Sequence, residues 1–243
     1  MAQRFFNINY EFDRNRVHEA IDAAVADRRP GYICVADGVI LDIANRDEDY
    51  LQVVNSSMFS ICDSSYVPLY IRLIHGHRFE QYCGAQIFRD IVERRKHRMI
   101  FLGTSRKVLE GLRRNISQWN PDVDSMTFEE LPFCDVEGFD YRTIARLIAD
   151  DGADIVWVAL GAPKQEKFMH RLLPHLNHGV MIAVGAAFKF YSGLDEKRAP
   201  DWMVKHHLEF IHRLAKEPRK QIKRCSNILK SLPRILVTEI KKK

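Results

Sequence analysis

The chain has 243 residues, of which 46% are hydrophobic and 28% charged, and its mean hydropathy is −0.27. These values exclude a disulfide-rich miniprotein, a collagen and a largely disordered chain. The longest apolar stretch, 180–188, is too short to span a bilayer, and no apolar signal region follows the first residues. We therefore expect a cytosolic protein or one held at the inner face of a membrane.

Apolar runs alternate with amphipathic patterns along most of the chain. The pattern predicts strands at 32–36, 58–62, 98–102, 154–160 and 180–184, and helices at 14–28, 42–55, 85–96, 105–119, 141–150 and 163–173. Runs that are apolar at every position are typical of parallel strands covered on both faces. We predict an α/β fold with a Rossmann-like, mostly parallel sheet, in which ligands bind beyond the carboxyl ends of the strands.

Five cysteines are spread along the sequence, and no two form a C-x-x-C pair. This spacing favours free, mostly buried thiols over a zinc site or a disulfide framework. The chain also lacks the glycine fingerprint of dinucleotide-binding domains and the phosphate-binding loop of nucleotide hydrolases. The sequence therefore indicates neither a bound metal nor a resident cofactor.

The first strand end with polar chemistry is the run from Ile61 to Ser65, which contains Asp63. A carboxylate directly after an apolar strand faces the ligand crevice of such a sheet. Asp63 is interpreted as a general base, a ribose-binding group or simply a helix cap. Its position alone leaves the three interpretations open.

The second strand end is the string Gly161-Ala162-Pro163-Lys164-Gln165-Glu166. Gly161 permits a tight turn, and the start of the following helix offers backbone N–H groups to an anion. Lys164 adds a positive charge, and Gln165 offers hydrogen bonds to a sugar or a base. The alternative is an ordinary strand–helix turn with Lys and Gln in solvent.

The third strand end runs from Val184 to Gly193. Its small residues, beginning with Gly185, allow a nucleotide to lie close to the backbone. The aromatic residues Phe188, Phe190 and Tyr191 either stack on a base or belong to the core.

Charge divides the chain into an acidic body, 1–196, and a basic appendage, 197–243. The appendage has 14 Lys and Arg against 4 Asp and Glu, whereas the body has 23 against 28. From Glu217 the pattern predicts an amphipathic helix that ends at Pro233, and such a helix either docks on the body or lies on an anionic membrane. Its basic side comprises Lys216, Arg219, Lys220, Lys223, Arg224 and Lys230, and its apolar side Ile222, Cys225, Ile228, Leu229 and Leu232.

The ordered motifs resemble those of the WecG/TagA/CpsF family of bacterial glycosyltransferases. The resemblance covers roughly 17–224 and includes the segment from Asn55 to Asp63. It rests on Gly161-Ala162-Pro163-Lys164-Gln165-Glu166, Gly185-Ala186-Ala187-Phe188, Ser192-Gly193, Arg198-Ala199-Pro200-Asp201-Trp202-Met203, Leu208-Glu209-Phe210, Arg213 and Glu217-Pro218-Arg219.

The resemblance implies metal-independent, inverting transfer of a sugar from a UDP-sugar to a polyprenyl-diphosphate-linked saccharide. It places the reaction at the cytoplasmic membrane face, in the synthesis of cell-surface polysaccharides, and leaves self-association open. It makes Asp63 the catalytic base. The implied donor-binding residues are Asp37, Gly161, Lys164, Gln165, Glu166, Gly185 and Lys189, and those for the diphosphate or the acceptor are Arg213, Arg219, Lys220, Lys223 and Arg224.

The sequence departs from the family's pattern at several sugar-contacting positions. The family's Thr-x-Asn motif is replaced in this sequence by Val35-Ala36-Asp37, and its Asp-Gly-x-Gly motif by Asp63-Ser64-Ser65-Tyr66. Its Arg-x-x-Gly-x-Asp motif is replaced by Gln81-Tyr82-Cys83-Gly84-Ala85-Gln86, and its Phe-Asp-Phe motif by Phe188-Lys189-Phe190. These changes favour a donor other than N-acetylmannosamine. Lys189 either pairs with a uronic-acid carboxylate or is solvated.

Other classes of protein remain alternatives at this point. A nucleic-acid-binding regulator would use the basic appendage, although no nucleic-acid motif accompanies it. An α/β dehydrogenase is disfavoured by the missing glycine fingerprint. An inactive member of the glycosyltransferase family would retain the fold without the reaction.

Overall fold

The computed structural model describes residues 2–194 and 218–242. In this part of the chain eight strands form one sheet in the order β1-β2-β4-β3-β8-β7-β5-β6, and only β1 runs antiparallel to its neighbour. The strands are β1 (Gln3–Phe5), β2 (Ile8–Tyr10), β3 (Gly31–Ala36), β4 (Phe59–Cys62), β5 (Met99–Gly103), β6 (Thr127–Glu129), β7 (Ile155–Ala159) and β8 (Val180–Ala183).

Ten α-helices surround the sheet in the described residues. They are α1 (Arg14–Ala26), α2 (Gly38–Ala44), α3 (Glu48–Asn55), α4 (Val67–His75), α5 (Gly84–Arg94), α6 (Arg106–Ile116), α7 (Tyr141–Asp151), α8 (Lys164–Leu172), α9 (Ala187–Ser192) and α10 (Pro218–Ile240). Short 3-10 helices occupy Pro121–Ser125, Val136–Gly138 and Leu173–His175.

Both faces of the sheet are covered, so alternate residues of each central strand point into two separate cores. On one face α2, α3, α4, α7, α8 and α10 contribute buried residues, and on the other α1, α5, α6 and α9 do so. In β3, for example, Cys34 belongs to the first core and Ile33 to the second. The predicted α/β fold and its five strands are confirmed, each strand end lying within one residue of its prediction.

The prediction of one helix over 42–55 is wrong, because two separate helices, α2 and α3, occupy this region. Asp37 accepts the N–H groups of Val39 and Ile40, so α2 begins four residues earlier than predicted. Asp47 accepts the N–H of Tyr50 and begins a second helix there. Each carboxylate replaces the missing hydrogen-bond acceptor of a first helical turn.

The prediction that Pro233 ends the last helix is also wrong, because α10 continues to Ile240. Pro233 has no N–H to donate to the carbonyl of Leu229, one turn earlier. The side chain of Leu229 is 67% exposed, so water can reach that turn. The helix continues because its later residues are held by the body.

The second half of α10 is docked on the first core. Ile235 is buried there, and Glu239 is only 2% exposed. The Glu239 carboxylate accepts the N–H of Phe6 at 2.9 Å and lies 3.2 Å from the Nε2 atom of His75. These docked residues lie beyond the predicted end of the helix at Pro233, and the predicted boundary between 196 and 197 lies in a region outside the described residues.

Candidate active site

The strand ends singled out by sequence lie at one edge of the sheet. Along this edge Asp63 follows β4, Asp37 follows β3, Gly185 comes shortly after β8, and Gly161 shortly after β7. The chain leaves β3 and β8 towards opposite faces, into α2 and α9. Adjacent parallel strands whose connections diverge in this way form a crevice at their carboxyl ends.

The Asp63 carboxylate is fixed at the start of α5. Its Oδ1 atom accepts the N–H of Gly84 at 2.8 Å, and its own N–H donates to the carbonyl of Ala36 at 3.0 Å. The side chain of Gln81 donates to the carbonyl oxygen of Asp63 at 2.5 Å. The residue is half-buried, and a carboxylate has several acceptor positions. It can therefore cap α5 and accept a substrate hydroxyl together.

Two glycines, Gly84 and Gly185, lie where neighbouring turns at this edge of the sheet come into contact. A Cβ atom on Gly84 would lie 3.1 Å from the side chain of Val35 and 3.6 Å from the carbonyl oxygen of Val184. A Cβ atom on Gly185 would lie 3.8 Å from both amide atoms of Gln165. The turns after β4, β7 and β8 are thus in close proximity, as the sequence predicts.

Gln165 fixes the turn after β7 from inside the protein. Its side chain is 4% exposed; Oε1 accepts the N–H of Gly161 at 3.0 Å, and Nε2 donates to Oε1 of Glu166 at 2.9 Å. Gly161 adopts a φ of 79°, which favours glycine. The amide orientation of Gln165 is consequently set by its two neighbours.

Glu166 is fully buried behind Gln165. The hydroxyl of Tyr50 donates to Oε2 of Glu166 at 3.0 Å. Burial raises the pKa of Glu166 to about 7, because the charged form is desolvated more than its hydrogen bonds compensate. Sequence reasoning missed Tyr50, which looks like any apolar-face residue of α3 and is joined to Glu166 only by the fold.

Two of the predicted donor-binding residues, Asp37 and Lys164, have other contacts in this structure, and a third, Lys189, is exposed. Asp37 caps α2. The ammonium of Lys164 donates to the carbonyl of Cys134 and lies 5.0 Å from the ring centre of Phe139. Lys189 is exposed on α9. Their roles in donor binding stay predictions.

The predicted diphosphate-binding residues belong to the appendage. Arg213 lies outside the described residues. The first turns of α10 contain the backbones of Arg219, Lys220, Lys223 and Arg224. The side chains of these four residues lie outside the described part of the structure. The Cδ1 atom of Ile228, one turn after Arg224, lies 3.1 Å from the position of a Cβ on Gly38. The helix therefore touches the rim of the crevice directly beside Asp37.

Two negative findings apply to the described ranges, 2–194 and 218–242. Within them, no helix is long and apolar enough to cross a membrane. Nor do three or more His, Cys, Asp or Glu side chains in these ranges form a group that could hold a metal ion.

A doubly wound sheet with polar groups at its crevice is shared by many classes of enzyme, so the sequence relatives decide which class this one is. The chain belongs to the glycosyl transferase WecG/TagA/CpsF family, whose model matches residues 4–243. The resemblance inferred from the sequence motifs is confirmed, and the protein is a glycosyltransferase.

Curated relatives carry a more detailed name, N-acetylglucosaminyldiphosphoundecaprenol N-acetyl-beta-D-mannosaminyltransferase. The relative from Bacillus subtilis strain 168 is 31% identical over 82% of this chain and 77% of its own length. The relative from Bacillus spizizenii is 26% identical over the same shares. That from Staphylococcus aureus strain NCTC 8325 is 24% identical over 75% of this chain and 70% of its own.

Proposed function

We propose that this protein transfers a sugar, with inversion, from a UDP-sugar to a polyprenyl-diphosphate-linked saccharide in the synthesis of a bacterial cell-surface polysaccharide. The observation that carries the proposal is the placement of Asp63 and Gln165 at one edge of the sheet, where Gly84 binds Asp63 and lies beside Val184, and the next residue, Gly185, lies beside Gln165. The names of the curated relatives, which specify a polyprenyl-linked N-acetylglucosamine acceptor, support the acceptor class.

Asp63 acts as the general base in a single in-line displacement. Its carboxylate takes the proton of the acceptor hydroxyl while that oxygen forms a bond to the anomeric carbon and the bond to UDP breaks. The N–H of Gly84 holds Oδ1 in place, so the base needs little reorganisation. Attack from the face opposite UDP inverts the anomeric configuration.

Protein donors stabilise the charge that develops on UDP as it leaves. The turn at Gly161, held by Gln165, precedes the N-terminus of α8, which attracts a diphosphate through its backbone N–H groups and its dipole. The basic residues of the appendage, foremost Arg213 and Arg219, contact the donor or the lipid diphosphate. This arrangement requires neither a metal nor another cofactor.

The first half of α10 holds the enzyme at the inner face of the anionic membrane. Ile222 is 59% and Leu229 is 67% exposed, and they lie seven residues apart on one side of the helix. Exposed apolar side chains beside Lys and Arg are typical of helices that lie in a membrane interface. Contact between this helix and Gly38 keeps the crevice close to a lipid-linked acceptor.

The donor sugar differs from N-acetylmannosamine. The residues at the family's sugar-contacting positions differ here, among them Gln81 and Lys189. In the structure Gln81 holds the backbone of Asp63, so a change at this position alters the surroundings of the base. Lys189 serves a carboxylate-bearing donor sugar, a hypothesis that fails if neutral UDP-hexoses prove better donors than UDP-uronates.

Ligand binding and transfer assays test the proposal in two stages. UDP should raise the melting temperature, whereas NAD and duplex DNA should leave it unchanged. A panel of UDP-sugars is then incubated with a short-chain polyprenyl-diphosphate-linked N-acetylglucosamine, and product is followed by mass spectrometry. Stabilisation by NAD or DNA but not by UDP, or the absence of product from every donor, would contradict the proposal.

A further inference from the structure

A second polar opening lies beside Asp63, on the side away from the donor crevice. It is a cleft of about 500 Å³ between the end of β2, the start of α1 and the loop from Arg78 to Glu80. We call it the β2 cleft. Its volume is within the usual range for small-molecule sites, about 300–1,000 Å³.

The β2 cleft and Asp63 share the same edge of the sheet. The N–H of Glu11, directly after β2, donates to the carbonyl of Ser60 at 3.0 Å, three residues before Asp63. On the other side, Arg14 of the cleft donates to the carbonyl of Gln81 at 3.4 Å, and the Gln81 side chain contacts Asp63. One hydrogen-bonded residue therefore separates the wall of the cleft from the proposed base.

Aromatic rings form the apolar part of the cleft. Phe12 and Phe79 are stacked with ring centres 4.2 Å apart and planes 11° apart, and Tyr10 stacks on Phe12 at 5.3 Å. Phe79 is half-buried and lines the opening. An aromatic face at a cleft accommodates the C–H face of a pyranose ring.

Polar groups surround these rings, and one of them lacks a partner. The hydroxyl of Tyr10 is fully buried and has no hydrogen-bond partner among the residues that the structure describes. Because this hydroxyl is buried, it is not part of the open lining of the cleft. Charged side chains of both signs complete the lining, namely Glu11, Asp13, Arg14, Arg16, Arg78 and Glu80.

The chemistry of the lining selects one class of ligand. A lipid chain would leave the charged groups desolvated and unpaired, and for a nucleotide diphosphate the attraction of three arginines is offset by three carboxylates. A saccharide satisfies both features, because its C–H face packs on aromatic rings while its hydroxyls bond to carboxylates and guanidinium groups. We infer that the β2 cleft binds the saccharide of the lipid-linked acceptor and presents its hydroxyl to Asp63.

This inference rests on the proposed function and adds the side of Asp63 from which the acceptor approaches. Along the sheet edge the order is β2 cleft, Asp63, Asp37, Gly185 and Gly161. Asp63 thus lies at the boundary of the two sites, beside the point where the acceptor hydroxyl must approach the anomeric carbon for an in-line attack.

Kinetics of cleft variants in the full-length enzyme test the inference. Phe79→Ala and Arg78→Ala should each raise the KM of short-chain polyprenyl-diphosphate-linked N-acetylglucosamine about tenfold and leave the donor KM within twofold. Phe79→Tyr, which keeps the ring, should resemble the wild type, whereas Phe79→Leu, which keeps apolar volume alone, should not. Arg72→Ala removes an exposed arginine on α4 and serves as the matched control.

Direct binding separates this inference from the proposed function. Saturation-transfer NMR follows the sugar protons of the same acceptor probe in the presence of UDP. Loss of the signal in Phe79→Ala but not in Arg72→Ala supports the cleft, even if the wild type shows no turnover. An unchanged acceptor KM and an unchanged signal in both cleft variants would overturn the inference while leaving sugar transfer intact. Absence of the signal in the wild type overturns it as well.

Discussion

The two sides of the sheet edge differ in how their polar groups are satisfied. On the side of β7 and β8, Gly161, Gln165, Glu166 and Tyr50 form a continuous hydrogen-bonded series inside the protein. On the side of β2, the Tyr10 hydroxyl lacks a partner among the described residues, and charged side chains surround an open cleft. The first side is fixed by internal hydrogen bonds before a ligand arrives, whereas the second presents charged side chains at an open cleft.

Removing the charge of Asp63 should have the largest effect on turnover, because Asp63 lies next to both the donor crevice and the β2 cleft. Asp63→Asn is expected to lower turnover about 10²–10⁴-fold, the usual cost of losing a general base. UDP affinity should stay close to that of the wild type, since asparagine still accepts the N–H of Gly84. Steady-state kinetics and calorimetry with UDP provide the two measurements.

Asp140→Asn is the matched control for this variant. Asp140 also caps a helix, accepting the N–H of Thr143 at 3.0 Å, and it is exposed at the start of α7. The substitution should leave turnover unchanged, because asparagine caps helices about as well as aspartate. An Asp63→Asn enzyme with wild-type turnover would remove Asp63 from the mechanism.

Truncating Gln165 should affect the donor side alone. Gln165→Ala removes the acceptor of the Gly161 N–H and the donor to Glu166, so the turn after β7 loses its fixed geometry. We expect the donor KM to rise about tenfold, the cost of about one hydrogen bond to a charged group. The acceptor KM should not change.

Gln118→Ala provides the comparison for this substitution, because Gln118 is exposed just after α6. Lys164→Ala tests the neighbouring predicted contact in the same assay. If calorimetry finds unchanged donor affinity in both Gln165→Ala and Lys164→Ala, the motif from Gly161 to Glu166 is a structural turn and does not bind the donor.

Basic residues of α10 should act through the lipid-linked acceptor and the membrane. Lys223→Ala and Arg224→Ala are each expected to weaken binding to anionic vesicles about fivefold, since one such residue contributes about 1 kcal/mol near anionic lipid. Raising the salt concentration should reduce the difference. Lys107→Ala, on α6 at the other face of the sheet, is the control. Co-sedimentation that shows equal binding for all three variants would place the membrane contact elsewhere.

Titration of Glu166 should produce the smallest effect, confined to the donor side. Its pKa of about 7 lies above the ordinary value of 4.5. The folded protein therefore binds more protons than the unfolded chain between these values, and the contribution of Glu166 to stability falls as pH rises from about 4.5 to 7. Above pH 7 the ionised carboxylate accepts the Gln165 amide, so the donor KM should fall about threefold between pH 6 and pH 8.

Glu166→Gln removes this titration. Denaturant unfolding at pH 5 and pH 8 should show the wild type losing stability relative to the variant as pH rises. The donor KM of the variant should be flat with pH. Parallel pH profiles in the two proteins would show that Glu166 does not set the orientation of Gln165.

The sequence predicted the central sheet and the turns after β7 and β8 because both depend on local signals. Continuous apolar runs marked the strands, and Gly161 and Gly185 marked the turns beyond them. The β2 cleft gave no such signal, since β1 and β2 have three residues each and β2 joins the sheet through a distant pairing, Tyr10 with Ser60 of β4. The break between α2 and α3 depends on Asp47 as a cap, and the course of α10 past Pro233 depends on tertiary contacts of Ile235. None of these follows from periodicity alone.

The contact between Glu239 and Phe6 has a consequence for the order in which the protein folds. The two residues are 233 positions apart, and the Phe6 N–H lies in a hairpin turn where Phe6 and Asn7 have φ values of 50° and 67°. During synthesis this hairpin leaves the ribosome early, whereas its carboxylate partner leaves it more than two hundred residues later. The turn between β1 and β2 therefore acquires this carboxylate partner only after α10 docks, and α10 is the same helix that carries the basic residues. Completion of this turn and placement of the basic helix are thus linked by one contact that forms late in synthesis.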